Sequence, residues 1–291
     1  MSARAAVIQM NSSDDPAENL LRATALVSRA AADGAGLVVL PEMFTCIGST
    51  AAMQKALQWP GHAEALESLQ QLAARLRIWL VCGTLPWCDA APAASKAPAA
   101  SKAPAANQQQ QKPFARCFVL NASGEIAAHY DKMHLFDVQV ADKRGAYRES
   151  DSFAAGSRTV LVETPLGKLG LAVCYDLRFP ELFRRLWQQG AEIFALPSAF
   201  TATTGAAHWE ALLRARAIEN CCYLLAPGQA GVHADGRNTW GHSAIVEPWG
   251  GINYCAAGSE GEGLLCGDID LQRLASLRER MPCHAHQKMP L

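Results

Sequence analysis

Three reactive side chains that lie far apart in the sequence have the chemistry to cleave an amide together. Glu42 follows the apolar run GLVVLP, Cys174 follows GLAV, and Lys132 lies in the segment HYDKMHLFD. Attack of a thiol on an amide needs a base for the S–H proton, an acid for the leaving amine and positive charge beside the developing oxyanion. A carboxylate, a cysteine and a lysine supply these functions. Each also has an ordinary structural interpretation: a loop cap, a core thiol and a solvated surface charge.

Glu42, Cys174 and Ser198 each directly follow a short apolar run of the kind that forms a buried strand. Ligands bind outside the carboxyl ends of strands in open α/β sheets, where the connecting loops converge. The positions of the three residues therefore predict a shared crevice. A helix expected to begin at Pro180 would bring its backbone N–H groups near Cys174, favouring a thiolate and holding an oxyanion. A nearby lysine is expected to lower the pKa of the thiol as well.

The elements that must position these residues alternate between strand and helix. Asp15 is predicted to cap a helix whose first residue is Pro16, with Glu18 three residues after the cap. Other helices are predicted at 66–76, 180–189 and 208–220, the last preceded by a flexible stretch, TATTGAA. Strands are predicted at 5–10, 36–40, 78–85, 167–173, 192–197, 222–228 and 243–250, with a hairpin at 115–130 that turns at 122–124. This alternation predicts an α/β domain.

Charge and hydropathy argue against several classes of function. The 291 residues carry a net charge of −1, so no overall field attracts a nucleic acid. The start of the chain lacks the apolar run of a signal peptide, and no apolar stretch reaches the roughly 20 residues of a membrane span. We therefore expect a soluble, cytoplasmic protein with no membrane and no nucleic-acid partner.

The ten cysteines are predicted to be free thiols. They are scattered through a long chain, and most lie in apolar runs such as WLVCGTL and GLLCGDI, where a thiol packs as a small hydrophobe. The sequence contains no CxxC pair, so a structural zinc site is not predicted. The CHAH segment at 283–286 is interpreted as a polar tail rather than a metal site. The sequence contains neither a P-loop nor a GxGxxG motif. We expect no metal and no cofactor.

One segment differs from the rest of the chain in composition. Residues 88–113 contain APAASK twice, then APAAN and a glutamine run, with no large apolar residue between Pro92 and Pro113. Burial of such a segment cannot offset its ordering entropy. We predict a single domain over 1–291 that carries a low-complexity, disordered surface insertion at about 90–112. A lid or a partner-binding arm is the alternative.

Three blocks of the sequence resemble the signature blocks of the nitrilase-like carbon–nitrogen hydrolases. They are LPEMF (40–44), HYDKMHLFDV (129–138) and GLAVCYDLRFPEL (170–182), and they contain the glutamate, lysine and cysteine in the family's order. Residues 197–220 and 241–250 resemble the later blocks. Within the superfamily, KMHLFDV, CYDLRFPEL and GAAHWEALLRARAIE are most similar to the branch that contains deaminated-glutathione amidase and ω-amidase.

The resemblance implies a fold and a set of roles. The fold is a four-layer α-β-β-α sandwich, assembled into homodimers or larger homo-oligomers. Glu42 is implied as the general base, Lys132 as the oxyanion stabiliser and Cys174 as the nucleophile that forms a thioester. The backbone N–H of Tyr175 would complete the oxyanion site. The family has a second glutamate after the lysine block, and Glu149 is the best match to it.

Four residues are candidates for substrate binding: Tyr175, Arg178, His208 and Trp209. Arg178 could bind a substrate carboxylate, or it could pair with Asp176 or Glu181 as part of the scaffold. His208 and Trp209 are expected to line the pocket, although a helix-core position is the alternative for Trp209.

These observations favour an amidase that hydrolyses a small, carboxylate-bearing amide of the deaminated-glutathione or ω-amide type, with water as the second substrate. An enzyme that cleaves nitriles or transfers acyl groups with the same three residues is a second hypothesis. A non-catalytic binding paralogue is a third, but it has no need of all three reactive residues. A Cys–His protease built on His134 is disfavoured by the glutamate and lysine blocks.

Overall fold

A computed structural model of the protein describes residues 3–49, 51, 61–88 and 112–289. The predicted insertion at about 90–112 falls almost entirely on residues 89–111, which lie outside the described residues. Its disorder and the extent of the single domain therefore stay predictions.

The helices within the described ranges are α1 (Pro16–Ala32), α2 (Gly61–Leu76), α3 (Pro180–Gln188), α4 (Ala202–Asn220), α5 (Leu271–Arg280) and α6 (Cys283–His286). Short 3-10 turns span Glu149–Asp151 and Cys174–Arg178. The strands in chain order are β1 (Ala3–Gln9), β2 (Leu37–Val39), β3 (Trp79–Val81), β4 (Leu85–Trp87), β5 (Phe114–Leu120), β6 (Ile126–Asp131), β7 (Asp137–Gln139), β8 (Ala146–Arg148), β9 (Leu161–Thr164), β10 (Gly167–Leu171), β11 (Ile193–Ala195), β12 (Tyr223–Ala226), β13 (Ala230–Val232), β14 (Asn238–Trp240), β15 (Ala244–Val246), β16 (Ile252–Tyr254) and β17 (Gly263–Ile269).

The strands form two large sheets and two small ribbons. The first sheet has the order β17-β1-β2-β3-β5-β4, with β6 paired to β5, and its β1, β2 and β3 run parallel. The second has the order β16-β15-β12-β11-β10-β9, and β10, β11 and β12 run parallel. The pairs β7-β8 and β13-β14 form the ribbons. The parallel strands of each sheet end at the same edge, which is where the candidate residues follow them.

Alternating side chains of β1 show why the sheets stack. Ala5 and Val7 belong to a core that also contains residues of the second sheet and of α3 and α4. Ala6 and Ile8 point to the opposite face and pack with α1 and α2. Successive strand residues face opposite sides, so each central strand is apolar on both faces. The result is the predicted four-layer α-β-β-α sandwich, which is confirmed.

Helix α1 begins as the sequence predicts. The carboxylate of Asp15 accepts hydrogen bonds from the backbone N–H groups of Ala17 at 2.9 Å and Glu18 at 3.1 Å. Pro16 occupies the first helical position, where its missing N–H costs nothing. This cap fixes the direction in which α1 returns over the first sheet.

The expected flexible stretch before His208 is wrong. Helix α4 begins at Ala202, and the side chain of Thr201 caps it by accepting from the Thr204 N–H at 3.2 Å. Gly205 lies against the Trp240 ring, so closely that a Cβ at this position would come within 2.2 Å of the ring. Threonine has a modest helix propensity, but the cap and this packing outweigh it.

Two further expectations from the sequence concern membrane-spanning helices and disulfide bonds. Among the helices with described positions, none has the length and apolarity that crossing a membrane requires. All ten cysteines are free thiols.

The loop that carries Glu42 depends on the close approach of Gly83. Gly83 has φ +59°, and a Cβ there would lie 2.1 Å from the carbonyl oxygen of Pro41. The residue after β3 therefore supports the residues after β2 through a contact that only glycine permits.

We expect Gly83→Ala to lower the free energy of unfolding by roughly 2–5 kcal/mol, because it adds a backbone clash to the cost of a left-handed conformation. Gly258→Ala is the matched control, since Gly258 has φ +62° and nothing within 4 Å of the added Cβ. Its expected loss is about 1–2 kcal/mol. Chemical denaturation of both variants checks the difference, and equal losses would contradict the packing role of Gly83.

Candidate active site

The ammonium group of Lys132 lies between two carboxylates. Its Nζ is 2.7 Å from Glu42 Oε1 and 2.9 and 2.8 Å from the two oxygens of Glu149. The side chains of Lys132 and Glu42 are only 2% and 4% exposed. Burial disfavours the charge of Lys132, but Glu149 and Glu42 more than offset that effect and raise its pKa well above its ordinary value. Lys132 is therefore a fixed cation at the end of β6.

Glu42 is held by hydrogen bonds from both halves of the fold. The Gln229 side-chain amide donates to the Glu42 carbonyl at 3.0 Å, and Thr84 Oγ1 accepts from the Met43 N–H at 2.9 Å. Met43 has φ 54°, so the chain turns sharply directly after the glutamate. Gln229 follows β12 in the second sheet and Thr84 follows β3 in the first. The backbone at Glu42 and Met43 is thus fixed across the junction of the two sheets.

Glu149 begins a 3-10 turn directly after β8 and accepts the Phe136 N–H at 2.7 Å. The backbone bond and the Lys132 ammonium saturate its carboxylate. Burial and the neighbouring Glu42 nevertheless outweigh Lys132 and raise the pKa of Glu149. Because Glu149 directly follows the β7-β8 ribbon, the ribbon positions the carboxylate that orients Lys132.

Cys174 lies in a strained turn at the edge of the second sheet. It has φ 48° and begins a 3-10 turn, and its N–H donates to the Pro197 carbonyl at 2.9 Å. A positive φ is uncommon for a residue other than glycine and is found at functional sites held by their surroundings. Sγ lies within hydrogen-bonding reach of the Glu42 carboxylate and the Ala199 N–H.

The expected lowering of the Cys174 pKa is wrong in its net direction. Burial and the Glu42 carboxylate raise the pKa of the thiol well above its ordinary value. Lys132 and the Ala199 N–H lower it, but by less. The two carboxylates beside Lys132 offset most of its positive potential at the sulfur, so Lys132 stabilises the thiolate only weakly. Cys174 is therefore a thiol at rest.

Asp176 joins the lysine segment to the cysteine turn. It is fully buried, and its carboxylate accepts from Tyr130 Oη at 2.8 Å, from the Val173 N–H at 2.8 Å and from the His134 N–H at 3.1 Å. His134 Nδ1 lies 2.6 Å from the same carboxylate, and its ring stacks on Phe179 at 3.6 Å between centroids. His134 therefore belongs to this brace, which gives the protease hypothesis no support.

Ser198 has a structural position. Its hydroxyl donates to the Leu196 carbonyl at 3.0 Å, and its side chain is fully buried. Of the three residues that follow apolar strands, the structure brings Glu42 and Cys174 together and leaves Ser198 in the backbone network beneath them.

Glu42, Lys132, Glu149 and Cys174 lie in one cleft, whose empty volume including its open mouth is about 970 Å³. The remaining walls combine aromatic rings with four arginines. The lining residues are Glu42, Met43, Gly48, Lys132, Phe136, Arg144, Tyr147, Arg148, Glu149, Ser152, Phe153, Cys174, Tyr175, Arg178, Ala199, Phe200, Thr201, Thr204 and Arg237. The cleft suits a small anionic molecule with an apolar portion.

Two of the four predicted substrate-binding residues, Tyr175 and Arg178, line the cleft. The guanidinium of Arg178 lies over the rings of Tyr175 and Phe200, with its carbon 5.8 and 5.4 Å from their centroids. The alternative pairing with Asp176 or Glu181 does not occur in the part of the chain that the structure describes. The charge of Arg178 is therefore available to a ligand.

The other two predicted residues are not among those that line the cleft. His208 contacts Arg178 from behind, with Nδ1 3.2 Å from Nη1. Trp209 is 1% exposed, and its indole N–H donates to the His242 carbonyl at 2.9 Å. Trp209 is thus in the helix-core position that was its alternative.

Sequence reasoning missed several residues that the site depends on. Gln229 follows the apolar strand β12, so the strand-end rule that selects Glu42 would have selected it as well. No comparable local signal identifies Asp176 as a buried acceptor, nor Arg144 and Arg237 as lining residues of the cleft. Only the tertiary fold brings these residues to the site, from segments distant in sequence.

Comparisons with known proteins agree with this geometry. The family model described as carbon-nitrogen hydrolase matches residues 4–279. Deaminated glutathione amidase of Mus musculus is 40% identical over 98% of this chain and 83% of that protein. The crystal structure of the Caenorhabditis elegans NitFhit protein is 35% identical, with a TM-score of 0.85, and covers 99% of this chain and 65% of that chain.

A third relative is the amidase from Nesterenkonia sp. AN1. A structure of its glutamate-to-glutamine mutant is 26% identical, with a TM-score of 0.73, over 96% of this chain and 98% of that chain. It shows acrylamide added at the active site cysteine of that protein. The resemblance of the three sequence blocks is thereby confirmed, and the protein is a hydrolase of carbon–nitrogen bonds. The chain belongs to the carbon-nitrogen hydrolase family.

Proposed function

We propose that this protein is an amidase that hydrolyses deaminated glutathione or a similar small, carboxylate-bearing amide through a thioester on Cys174. The curated relative named above supports the substrate class. The observation that carries the mechanism is that Cys174, Glu42 and Lys132 line one cleft, in which Glu42 Oε1 is 2.7 Å from Lys132 Nζ.

In the acylation step, Glu42 removes the thiol proton while Sγ bonds to the amide carbonyl carbon. The carbonyl oxygen becomes an oxyanion, which Lys132 and the backbone N–H of Tyr175 stabilise. Glu42 then transfers the proton to the amide nitrogen. The carbon–nitrogen bond breaks, the amine leaves, and the acyl group remains on sulfur as a thioester.

In the second step, Glu42 removes a proton from water, whose oxygen attacks the thioester carbon. The tetrahedral oxyanion again forms beside Lys132. Its collapse releases the carboxylic acid, and the sulfur recovers a proton from Glu42. The cycle consumes one amide and one water and needs no metal or cofactor.

Glu149 acts through Lys132. Its two oxygens hold the ammonium at 2.8 and 2.9 Å, so the cation cannot turn away from the oxyanion position. Arg178 is proposed to bind a carboxylate on the acyl half of the substrate, because it lines the cleft beside Tyr175 with its charge uncompensated. His208 contacts Arg178 on the side away from the cleft lining, and buried Trp209 anchors α4, the helix that carries His208.

We also propose that the chain acts as a homodimer or a larger homo-oligomer in the cytoplasm. Ile218 and Trp249 support self-association, because they are 47% and 62% exposed and large apolar side chains are common at interfaces. The net charge of −1 supports a small-molecule substrate rather than a nucleic acid.

We expect the purified protein to release cysteinylglycine from deaminated glutathione, and iodoacetamide to abolish this activity in step with modification of Cys174. Mass mapping of the adducts during inactivation measures both quantities. Cys174→Ala should have no detectable turnover, whereas Cys283→Ala, which removes an exposed thiol, should be as active as the wild type. Loss of activity while Cys174 stays unmodified would remove it as the nucleophile.

Glu42→Gln and Lys132→Met should each suppress single-turnover hydrolysis while the fold is retained. Loss of the general base is worth roughly 10²–10⁴-fold and loss of one oxyanion contact roughly 10²–10³-fold. The double mutant should lose far less than the product of the two factors, because both residues serve one transition state. Circular dichroism is the folding control. Folded mutants that keep more than about a tenth of the wild-type rate would exclude these residues from the mechanism.

A further inference from the structure

The mechanism leaves three of the four cleft arginines without a role, and two of these three lie against the same aromatic ring. Arg144 lies in the loop between β7 and β8, Arg237 directly precedes β14, and both line the cleft. Their guanidinium carbons are 5.1 and 5.8 Å from the ring centroid of Tyr147. We call Arg144 and Arg237 the arginine pair.

In the described part of the chain, the two guanidinium groups of the arginine pair share a single ion-pairing carboxylate. One carboxylate, that of Asp235, serves both: its Oδ2 is 3.1 Å from Arg144 Nη1 and 3.4 Å from Arg237 Nη2. Arg237 is 12% exposed, and its buried Nε donates to no acceptor in the described part of the chain. Because Arg237 lines the cleft and shares Asp235 with Arg144, an anionic ligand in the cleft would add an acceptor to this incompletely paired guanidinium.

The arginine pair contacts the loop that carries Glu42. Arg237 Nη1 is 3.8 Å from Met43 Sδ, and Met43 directly follows Glu42, the residue that protonates the departing nitrogen. Arg178 lies instead beside Tyr175, next to the nucleophile that keeps the acyl group. The arginine pair therefore lies beside the loop of the general base, and Arg178 lies beside the residue that follows the nucleophile.

We propose that the arginine pair binds a carboxylate on the amine half of the substrate. The preferred substrates are then amides whose leaving amine is an amino acid or a dipeptide with a free C-terminal carboxylate. Two residues span roughly 7 Å, so a dipeptide carries its carboxylate away from the scissile nitrogen to a separate site. This inference rests on the proposed function and specifies its leaving group.

A purely structural role for the arginine pair predicts a different outcome. The Arg144–Asp235 ion pair also ties the β7-β8 ribbon to the loop between β13 and β14. If the arginine pair only stabilised this contact through Asp235, removing Arg237 would impair the hydrolysis of every substrate to the same extent. A binding role impairs only substrates that carry the distal carboxylate.

The test compares deaminated glutathione with its C-terminal carboxamide, which differs only in the charge of that group. We would measure kcat and KM for release of the dipeptide product with the wild type, Arg237→Gln, Arg237→Lys and Arg144→Gln. Arg273→Gln is the matched control, because Arg273 is 61% exposed, pairs with Glu247 and does not line the cleft. Circular dichroism shows whether each variant is folded.

Arg237→Gln should reduce kcat/KM for the carboxylate substrate by roughly 10- to 100-fold, mainly through KM. The carboxamide should change by less than about threefold, and Arg237→Lys should recover part of the loss. Arg144→Gln should act in the same direction and serves if Arg237→Gln does not fold. Equal losses on both substrates, or none on either, would overturn the inference while leaving the proposed function intact. A wild-type enzyme that cleaves neither substrate would overturn the proposed function itself.

Discussion

The buried ammonium of Lys132 constrains the whole site. Removing a charge from water is expensive unless opposite charges and hydrogen bonds replace the solvent, and here Glu42 and Glu149 do so at 2.7 to 2.9 Å. These three residues come from the loops after β2, β6 and β8, so those loops must meet for the protein to fold well. Burial raises the pKa of the Cys174 thiol, and the Glu42 carboxylate raises it further. Cys174 therefore rests as a thiol rather than a thiolate, and a base must act during attack.

Two buried polar residues carry this constraint through the fold. Gln229, after β12 of the second sheet, donates to the Glu42 carbonyl of the first sheet. Asp176 accepts from Tyr130 on β6 and from the backbone beside Cys174. The bonds from Gln229 to Glu42 and from Tyr130 to Asp176 join segments distant in sequence, so the nucleophile and the base share one rigid frame. Rigid support of this kind is what a reaction that depends on positioned protons needs.

Local sequence signals predicted the central strands and several helices, and they selected Glu42, Lys132 and Cys174 as candidates. The cap at Asp15, the short apolar strands and the polar residues that follow them are each evident within a few positions, and the resemblance of three blocks added Glu149. The protonation state of Cys174 could not be predicted, because it depends on a sum of charges from three distant loops. Helix α4 began earlier than expected because its first turn is fixed by Thr201 and by packing of Gly205 on Trp240, a contact outside any local window. The arginine pair was missed for the same reason, since only the tertiary fold brings Arg144 to Arg237.

The pH dependence of Cys174 alkylation in the absence of substrate distinguishes a resting thiol from a thiolate paired with Lys132. Only the thiolate reacts with iodoacetamide, so the rate rises through the pKa of the thiol. We expect an inflection above the roughly 8.5 of a free thiol in the wild type, because burial and Glu42 hold the proton on sulfur. We expect a lower inflection in Glu42→Gln, which should nevertheless be the slower enzyme. A wild-type inflection near or below about 7 would instead show a stable thiolate paired with Lys132 and would contradict a resting thiol that needs Glu42 as its base.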